Sequence, residues 1–327
     1  MKDDPTPNDA EAPLPRRLRA GTMTLLLSGM GGFWEGAKDG ARRRGDLSGL
    51  LYMVASALWF SLMAALAKYL LPETPTQAIV LTRGIAMTVV FVVLAKRRSV
   101  PLLGKSPAQL FLRGFLGYLA VSAYFYSVQH LPVGDAVLIQ YSHPIFVAAI
   151  APWLLGERTS RGHWPLVLVA LLGLALVVGP SGDIRGDAVV GIFGSICSGL
   201  AYMTVRHLSK TEHPLTILVW FPAVTIPGAL IGTWRALAAG LPALPRNGRE
   251  ALGHVAVIVA ALLGQWTLTQ GLARAGAARG TAVTMTGPIF GLFFGWLLFD
   301  TLPGLWSLAG TALVIVSLIT LASQKPR

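Results

Sequence analysis

Charge is what this chain has little of. Asp, Glu, Lys and Arg make up 13% of its 327 residues, against 54% hydrophobic ones. A soluble domain carries about a quarter charged residues, so this chain cannot cover itself with a solvated surface. Acids are scarcer than bases, 15 against 27. Cysteine is nearly absent too. The one cysteine, Cys197, rules out an internal disulfide and any cysteine-built metal cluster, and inside an apolar stretch it reads as a small packing residue. The histidines at positions 130, 143, 163, 207, 213 and 254 are scattered, with no His-x-x-x-His pair. No glycine-rich phosphate loop occurs either. These absences argue against a metalloenzyme and against ATP-driven work by this chain alone, and no metal or cofactor is expected.

What is present is length and apolarity. Mean hydropathy is +0.61, and the apolar residues arrive in repeated blocks of about 20, the length a helix needs to cross roughly 30 Å of hydrocarbon. Short alternating segments of the kind that build a transmembrane barrel are missing. Ten spans are predicted, at 47–71, 76–95, 108–128, 133–154, 163–180, 187–206, 214–234, 251–272, 280–299 and 303–323. Residues 1–46 read as a disordered cytoplasmic tail, or as an over-extended start with initiation at Met23 or Met30.

The net charge of +12 lies mostly between spans, so it speaks of topology and no nucleic-acid partner is expected. Lys96, Arg97, Arg98, Lys105, Arg158, Arg161, Arg206, Lys210, Arg274, Arg279, Lys325 and Arg327 fall on the side of the tail. Only Arg185, Arg235, Arg246 and Arg249 fall on the other. Basic loops stay in the cytoplasm, so both termini are expected there, in an inner (plasma) membrane.

The chain repeats itself. Pro144-Ile145-Phe146 is followed by Trp153-Leu154-Leu155-Gly156-Glu157, and Pro288-Ile289-Phe290 by Trp296-Leu297-Leu298-Phe299-Asp300. Gly49, Ser56, Lys68 and Pro72 are echoed by Gly191, Ser198, Lys210 and Pro214, at offsets of about 142–144 residues. Five spans per copy is an odd number, so the second copy is inverted in the membrane. Inverted repeats are the architecture of many secondary carriers, with the substrate site near the midplane between the halves. The expected fold is therefore all-α: ten transmembrane helices as two inverted five-helix repeats, over 47–180 and 187–323.

In these segments the two halves resemble paired EamA-type domains of the drug/metabolite transporter superfamily, over roughly 47–323. Trp59, Lys68 and Arg83 also resemble the first two spans of that pattern. The second half departs by replacing Gly-Glu with Phe299-Asp300. The resemblance implies a carrier, with diverse cargo in the family, and it favours export.

Several residues are candidates for that work. Pro144 and Pro288 fall close to the middle of spans four and nine, where a proline removes a backbone hydrogen bond and kinks the helix; paired interruptions of this kind point to a binding site, although a packing kink is the plain alternative. Gln140, His143 and Pro144 share one helix face, and Thr284 and Thr286 occupy the equivalent strip. Ser122, Tyr126 and Gln129 in span three, and Gln265, Trp266, Thr269 and Gln270 in span eight, are polar groups at membrane depth that face protein or a cavity. His143 is a substrate contact, a proton carrier, or a satisfied structural histidine. Lys68 either snorkels to the interface or meets substrate. Arg83, two turns into span two, must meet a carbonyl cluster, water, a carboxylate or an anionic substrate group. Glu157 and Asp300 are candidates for a gate or for anchoring loops. Gly287, Gly291 and Gly295 form a small-residue strip that allows close helix approach.

The sequence thus predicts an alternating-access carrier of small organic metabolites such as amino acids or organic anions. Its substrate contacts would come from Trp59, Lys68, Arg83, Tyr126, Gln140, His143, Trp266, Gln270 and Thr284. The bilayer is its surroundings, and a homodimer is compatible with the sequence. A membrane-embedded enzyme, or a non-transporting receptor or assembly protein, are the alternatives.

Overall fold

The computed structural model describes residues 48–155, 163–178, 186–208, 211–274, 283–284 and 286–323. Glu157 and the tail lie outside the described residues. Every regular element among the described residues is a helix. In chain order these are α1 Ser48–Leu70, α2 Thr76–Arg97, α3 Pro107–His130, α4 Val133–Tyr141, α5 His143–Leu155 and α6 His163–Val178. The second half supplies α7 Gly186–Leu208, α8 Pro214–Ala238, α9 Gly248–Arg274, α10 Gly287–Phe299 and α11 Leu305–Ser323.

Local chemistry sets the ends. Pro75 precedes α2, while Pro107 and Pro214 open α3 and α8, where the missing N–H would be unpaired anyway. His213 caps α8 by accepting from the Leu215 amide at 3.1 Å. Lys96 and Arg97 close α2, at the end where the helix dipole favours cations. Stretches in α1, α2, α4–α5, α7, α8 and α9 are long and apolar enough to cross a bilayer. The 24-residue α3 is also long enough, with Arg113, Tyr118, Ser122, Tyr124 and Tyr126 interrupting its apolar run.

Inversion of the repeats is visible in the packing. Three pairs join a span to its counterpart in the other half: α2 with α8, the first half of span four (α4) with the second half of span nine (α10), and α6 with α11. In each pair the register runs in opposite senses. A Cβ on Gly84 would face Pro222, Thr225 and Ile226, whereas one on Gly232, farther along α8, would meet Gln77, earlier on α2. Gly287 faces Tyr141, Gly291 faces Val137, and Gly295 approaches Gly134. Gly173 and Gly310 face each other across α6 and α11. Counterparts that pack antiparallel are what inverted repeats produce. Equivalent residues then meet where the pseudo-two-fold axis passes, and in such carriers that axis lies in the membrane plane. Gly84 meets Ile226, its equivalent, so neighbouring Arg83 sits near the midplane. The remaining pairs obey the same symmetry. Gly191 and Gly194 of α7 pack on Ser127 and Ala123 of α3, as Gly253, Gly264 and Gly271 of α9 pack on Leu70, Phe60 and Met53 of α1. With lipid as solvent no hydrophobic force drives helices together, so such small-residue seams are where dispersion holds the bundle.

Candidate functional site: paired helix breaks and a buried cationic band

The sequence puts Pro144 and Pro288 inside continuous spans. The structure instead ends one helix and begins another just before each proline. Pro144 has no N–H, so the Gln140 carbonyl four residues back loses its helical donor. The chain stops α4 at Tyr141, turns at Ser142, and restarts at His143. Local groups then satisfy the freed carbonyls. Ser142 Oγ donates to the Ile139 carbonyl at 2.6 Å, and His143 Nδ1 lies 3.0 Å from the Gln140 carbonyl. Ser195 of α7 reaches that same carbonyl at 3.4 Å. A carbonyl only accepts, so His143 carries its proton on Nδ1, and in the neutral ring Nε2 is left as an acceptor.

The second break copies the first. Thr286 Oγ1 donates to the Val283 carbonyl at 2.9 Å, and Ser61 of α1 donates to the Gly287 carbonyl at 3.0 Å. In both copies a hydroxyl two residues before the proline serves the carbonyl three residues behind it. In both, a serine from the opposite half ties the break down. Irregular backbone at membrane depth is tolerated only where protein or a cavity surrounds it, and here the two breaks sit at the crossing of α4 and α10.

From the first break a band of aromatic and cationic side chains runs across the bundle. His143, 6% exposed, stacks on Tyr202 of α7 with centroids 4.7 Å apart and planes at 16°. The Tyr141 ring lies 6.5 Å from that of His143, tilted at 44°. Tyr202 interacts electrostatically with Arg113 of α3, and Tyr124 with Arg83. Both guanidinium groups sit over one ring of α8. Arg113 Cζ is 4.6 Å and Arg83 Cζ 5.6 Å from the Phe221 centroid. Pro222 follows Phe221 directly, inside α8. Among the described residues no carboxylate pairs with either arginine. Arg83 Nε, Arg113 Nε and Arg113 Nη1 are buried without a hydrogen bond.

The structure therefore brings Arg83 and His143 into one band and places other candidates elsewhere. Gln140 donates to Ser198 of α7 at 3.0 Å. Tyr126 donates to Asp187 at 2.8 Å and stacks on His130, at the far end of α3. Lys68 donates to the Leu131 carbonyl, with its ammonium 5.9 Å from the Phe299 ring. Trp59 is half-buried against the main core, and Trp266 and Gln270 are half-buried on α9. Thr284 is buried one turn before Pro288. Asp300 is exposed and ends α10 in the left-handed region, φ 50°, which Asp tolerates better than most residues. Sequence reasoning missed Arg113, Tyr202 and Phe221. A signal for Arg113 existed, since it falls inside a predicted span; Tyr202 and Phe221 look like any other apolar-span aromatics.

Both ends of the bundle are latched between the halves. At one end Arg246 pairs with Glu73 at 2.7 Å and Glu250 at 2.8 Å. Its hydrogen bonds to Glu250 and Glu73 raise its pKa above the ordinary arginine value. At the other end Glu212 accepts from the amides of Lys105 and Ser106, each at 2.6 Å. Thr216 and Trp220 donate to the Pro101 and Leu102 carbonyls, at 2.8 and 2.9 Å.

Known proteins share the sequence pattern and the fold. The sequence matches the EamA-like transporter family over residues 47–179 and again over 186–323. The chain belongs to that family, and it is a multi-pass membrane transporter. It is 30% identical over 280 residues to the Pseudopaline exporter CntI of Pseudomonas aeruginosa, covering 85% of this chain and 97% of that one. It is 26% identical to a Riboflavin transporter of Rhizobium johnstonii, covering 82% and 88%. Solute carrier family 35 member G1 of Mus musculus is 24% identical, covering 82% and 76%. A solved crystal structure shares the fold with TM-score 0.60 at 20% identity, over 84% of this chain and 98% of that one.

Proposed function

We propose that the chain exports small organic metabolites, amino acids or organic anions among them, across the inner membrane by alternating access, with both termini cytoplasmic. One observation carries this reading: the two helix breaks at Ser142 and Thr286, equivalent in sequence and hydrogen bonding, lie at the crossing of antiparallel counterparts. Broken helices at the midplane between inverted repeats are where carriers of this architecture hold cargo. The arginine–aromatic band beside the first break supplies charge and ring faces suited to small organic anions and zwitterions. The names of the relatives, one for pseudopaline export and one for riboflavin, support an organic metabolite as cargo, and the first supports export. Loops rich in Lys and Arg on the side of the termini support the orientation.

The test is flux. Purified protein in proteoliposomes is offered a pooled metabolite mixture, with and without an imposed pH gradient, and the lumen is read by mass spectrometry. Selective accumulation over empty vesicles is the expected result. Vesicles with folded protein that accumulate nothing from a pool rich in amino acids and organic acids would overturn it.

A further inference from the structure

Arg83 and Arg113 present a charge problem that the fold does not solve by itself. Arg83 is 4% exposed, and its neighbour Gly84 lies where α2 meets its own counterpart, near the midplane. Buried charges are normally paired or coordinated, and guanidinium groups inside a membrane are costly unless something meets them. Here the two like charges lie close enough to interact with each other. Their shared partner is the Phe221 ring, a cation–π contact that offsets only part of that cost. Both ion pairs among the described residues belong to Arg246, at one end of the bundle.

The backbone makes room for this arrangement. A Cβ on Gly117, one turn beyond Arg113 on α3, would lie 2.5 Å from Arg113 Nη1 and 2.6 Å from Phe221 Cδ2. The missing side chain at Gly117 is the space in which Arg113 folds back over the ring. The ring supports the guanidinium faces, while N–H groups on both side chains stay unbonded. A planar fork with free N–H donors is the geometry that receives carboxylate or phosphate oxygens.

We propose that Arg83 and Arg113, supported by Phe221 and admitted by Gly117, form an anion subsite for dianionic cargo, a short dicarboxylate or a phosphate monoester. The proposal rests on the carrier reading above and narrows its cargo. Two unpaired cations ask for two negative charges. A zwitterion or monoanion leaves one arginine uncompensated.

Thermal unfolding of the purified protein in lipid nanodiscs tests this with four ligands: succinate against butyrate, and glycerol 3-phosphate against glycerol. At least one dianion is expected to raise the midpoint in a concentration-dependent way, where its partner does not, and which one does so names the source of charge. Arg83→Gln and Arg113→Gln are each expected to abolish that shift, while the ligand-free Arg113→Gln protein unfolds no lower than the parent. A packing role for Arg113 would instead lower the ligand-free midpoint and keep the dianion shift. Arg113→Lys keeps the charge but loses the fork, so dianion affinity falls about tenfold; it decides the matter if the Gln variants do not fold. Dianions that act no better than butyrate or glycerol, or a shift that survives these substitutions, would overturn the subsite. Binding is read here without flux, so dianion binding with no transport would sink the carrier reading alone, and transport with no dianion preference would sink the subsite alone.

Discussion

Replacing Gly291 with Ala puts the inverted-repeat seam to a quantitative test, because two effects of opposite sign compete there. In a helix interior Ala is more stable than Gly by roughly 0.5–1 kcal/mol. Against that stands geometry. The new Cβ would lie 2.7 Å from Val137 Cβ and 3.0 Å from both of its γ carbons. Comfortable carbon–carbon contact is about 3.5–4.0 Å. Val137 is β-branched and restricted at χ1, and both γ carbons already sit against the site, so no rotamer change relieves the clash. The helices must part by close to an ångström, and overpacking of this kind costs about 1–3 kcal/mol. Net destabilisation is therefore expected, by up to about 2 kcal/mol. Thermal unfolding in one fixed lipid environment measures it. Gly186→Ala is the control, with open space around its Cβ, and should be neutral or mildly stabilising. Pairing Gly291→Ala with Val137→Gly moves the small residue to the facing helix, and the double variant should exceed the sum of the singles by about 1 kcal/mol or more. A Gly291→Ala protein that gains stability would mean that α4 and α10 do not approach as described, and the antiparallel seam would fall with it.

Other expectations rest on single contacts. Gly310→Ala places its Cβ 2.4 Å from the Gly173 carbonyl oxygen; backbone cannot rotate aside, so the unfolding midpoint should fall at least as far as for Gly291→Ala. Ser142→Ala removes the hydroxyl that serves the Ile139 carbonyl and should cost about 0.5–1.5 kcal/mol, while Thr286→Val removes its counterpart in the second half and should cost a similar amount in the same unfolding assay. Gln140→Leu breaks its bond to Ser198 without touching the arginine band, so stability should fall while the dianion shift persists.

Legibility in the sequence tracked the range of the interactions involved. Spans, loops and repeats depend on composition over windows of about 20 residues, and they could be read directly. So could the site of the breaks, because Pro144 and Pro288 act on their own carbonyls four residues back. The form of the breaks was not readable: whether a proline bends a helix or divides it depends on who satisfies the freed carbonyl. In the first copy Ser195 of the opposite half reaches that carbonyl, at Gln140, while in the second Ser61 of the opposite half holds the Gly287 carbonyl beside the break. Arg83 was found because a cation in an apolar block stands out. Arg113 is the same signal one span later, obscured by its closeness to the Lys105 end of the helix. Phe221 and Tyr202 carry no local mark, since what distinguishes them is the cation or imidazole each one faces. Tyr126 and Gln140 look equally polar along the chain, and only the packing of α3 and α4 against α7 turns them toward Asp187 and Ser198.

The repeats are alike in fold and unlike in chemistry, and the two end latches differ in strength as a result. Glu73-Thr74-Pro75 leads into α2, and Glu212-His213-Pro214 leads into α8. Each glutamate lies just ahead of the second helix of its repeat, and each grips the loop beyond the second helix of the other half. Their partners differ. Glu73 meets the Arg246 side chain in solvent, with side-chain exposures of 70% and 48%, and an exposed pair contributes little and is screened by salt. Glu212 is buried at 7% exposure and accepts two backbone amides at 2.6 Å. Gly104, at φ +68°, lets the loop come in under it, where a Cβ would lie 2.7 Å from Glu212 Oε2. Glu212→Gln keeps an acceptor and removes the charge, so roughly half the strength of each bond is lost, about 1–2 kcal/mol together. That corresponds to an approximately 5–30-fold rise in opening, which hydrogen exchange at the Lys105 and Ser106 amides would report. Glu73→Gln should leave exchange in the 70–76 turn nearly unchanged, and less affected still at high salt. Equal effects at the two ends would show that the latches are matched in strength, and the asymmetry argued from burial and partner type would be wrong.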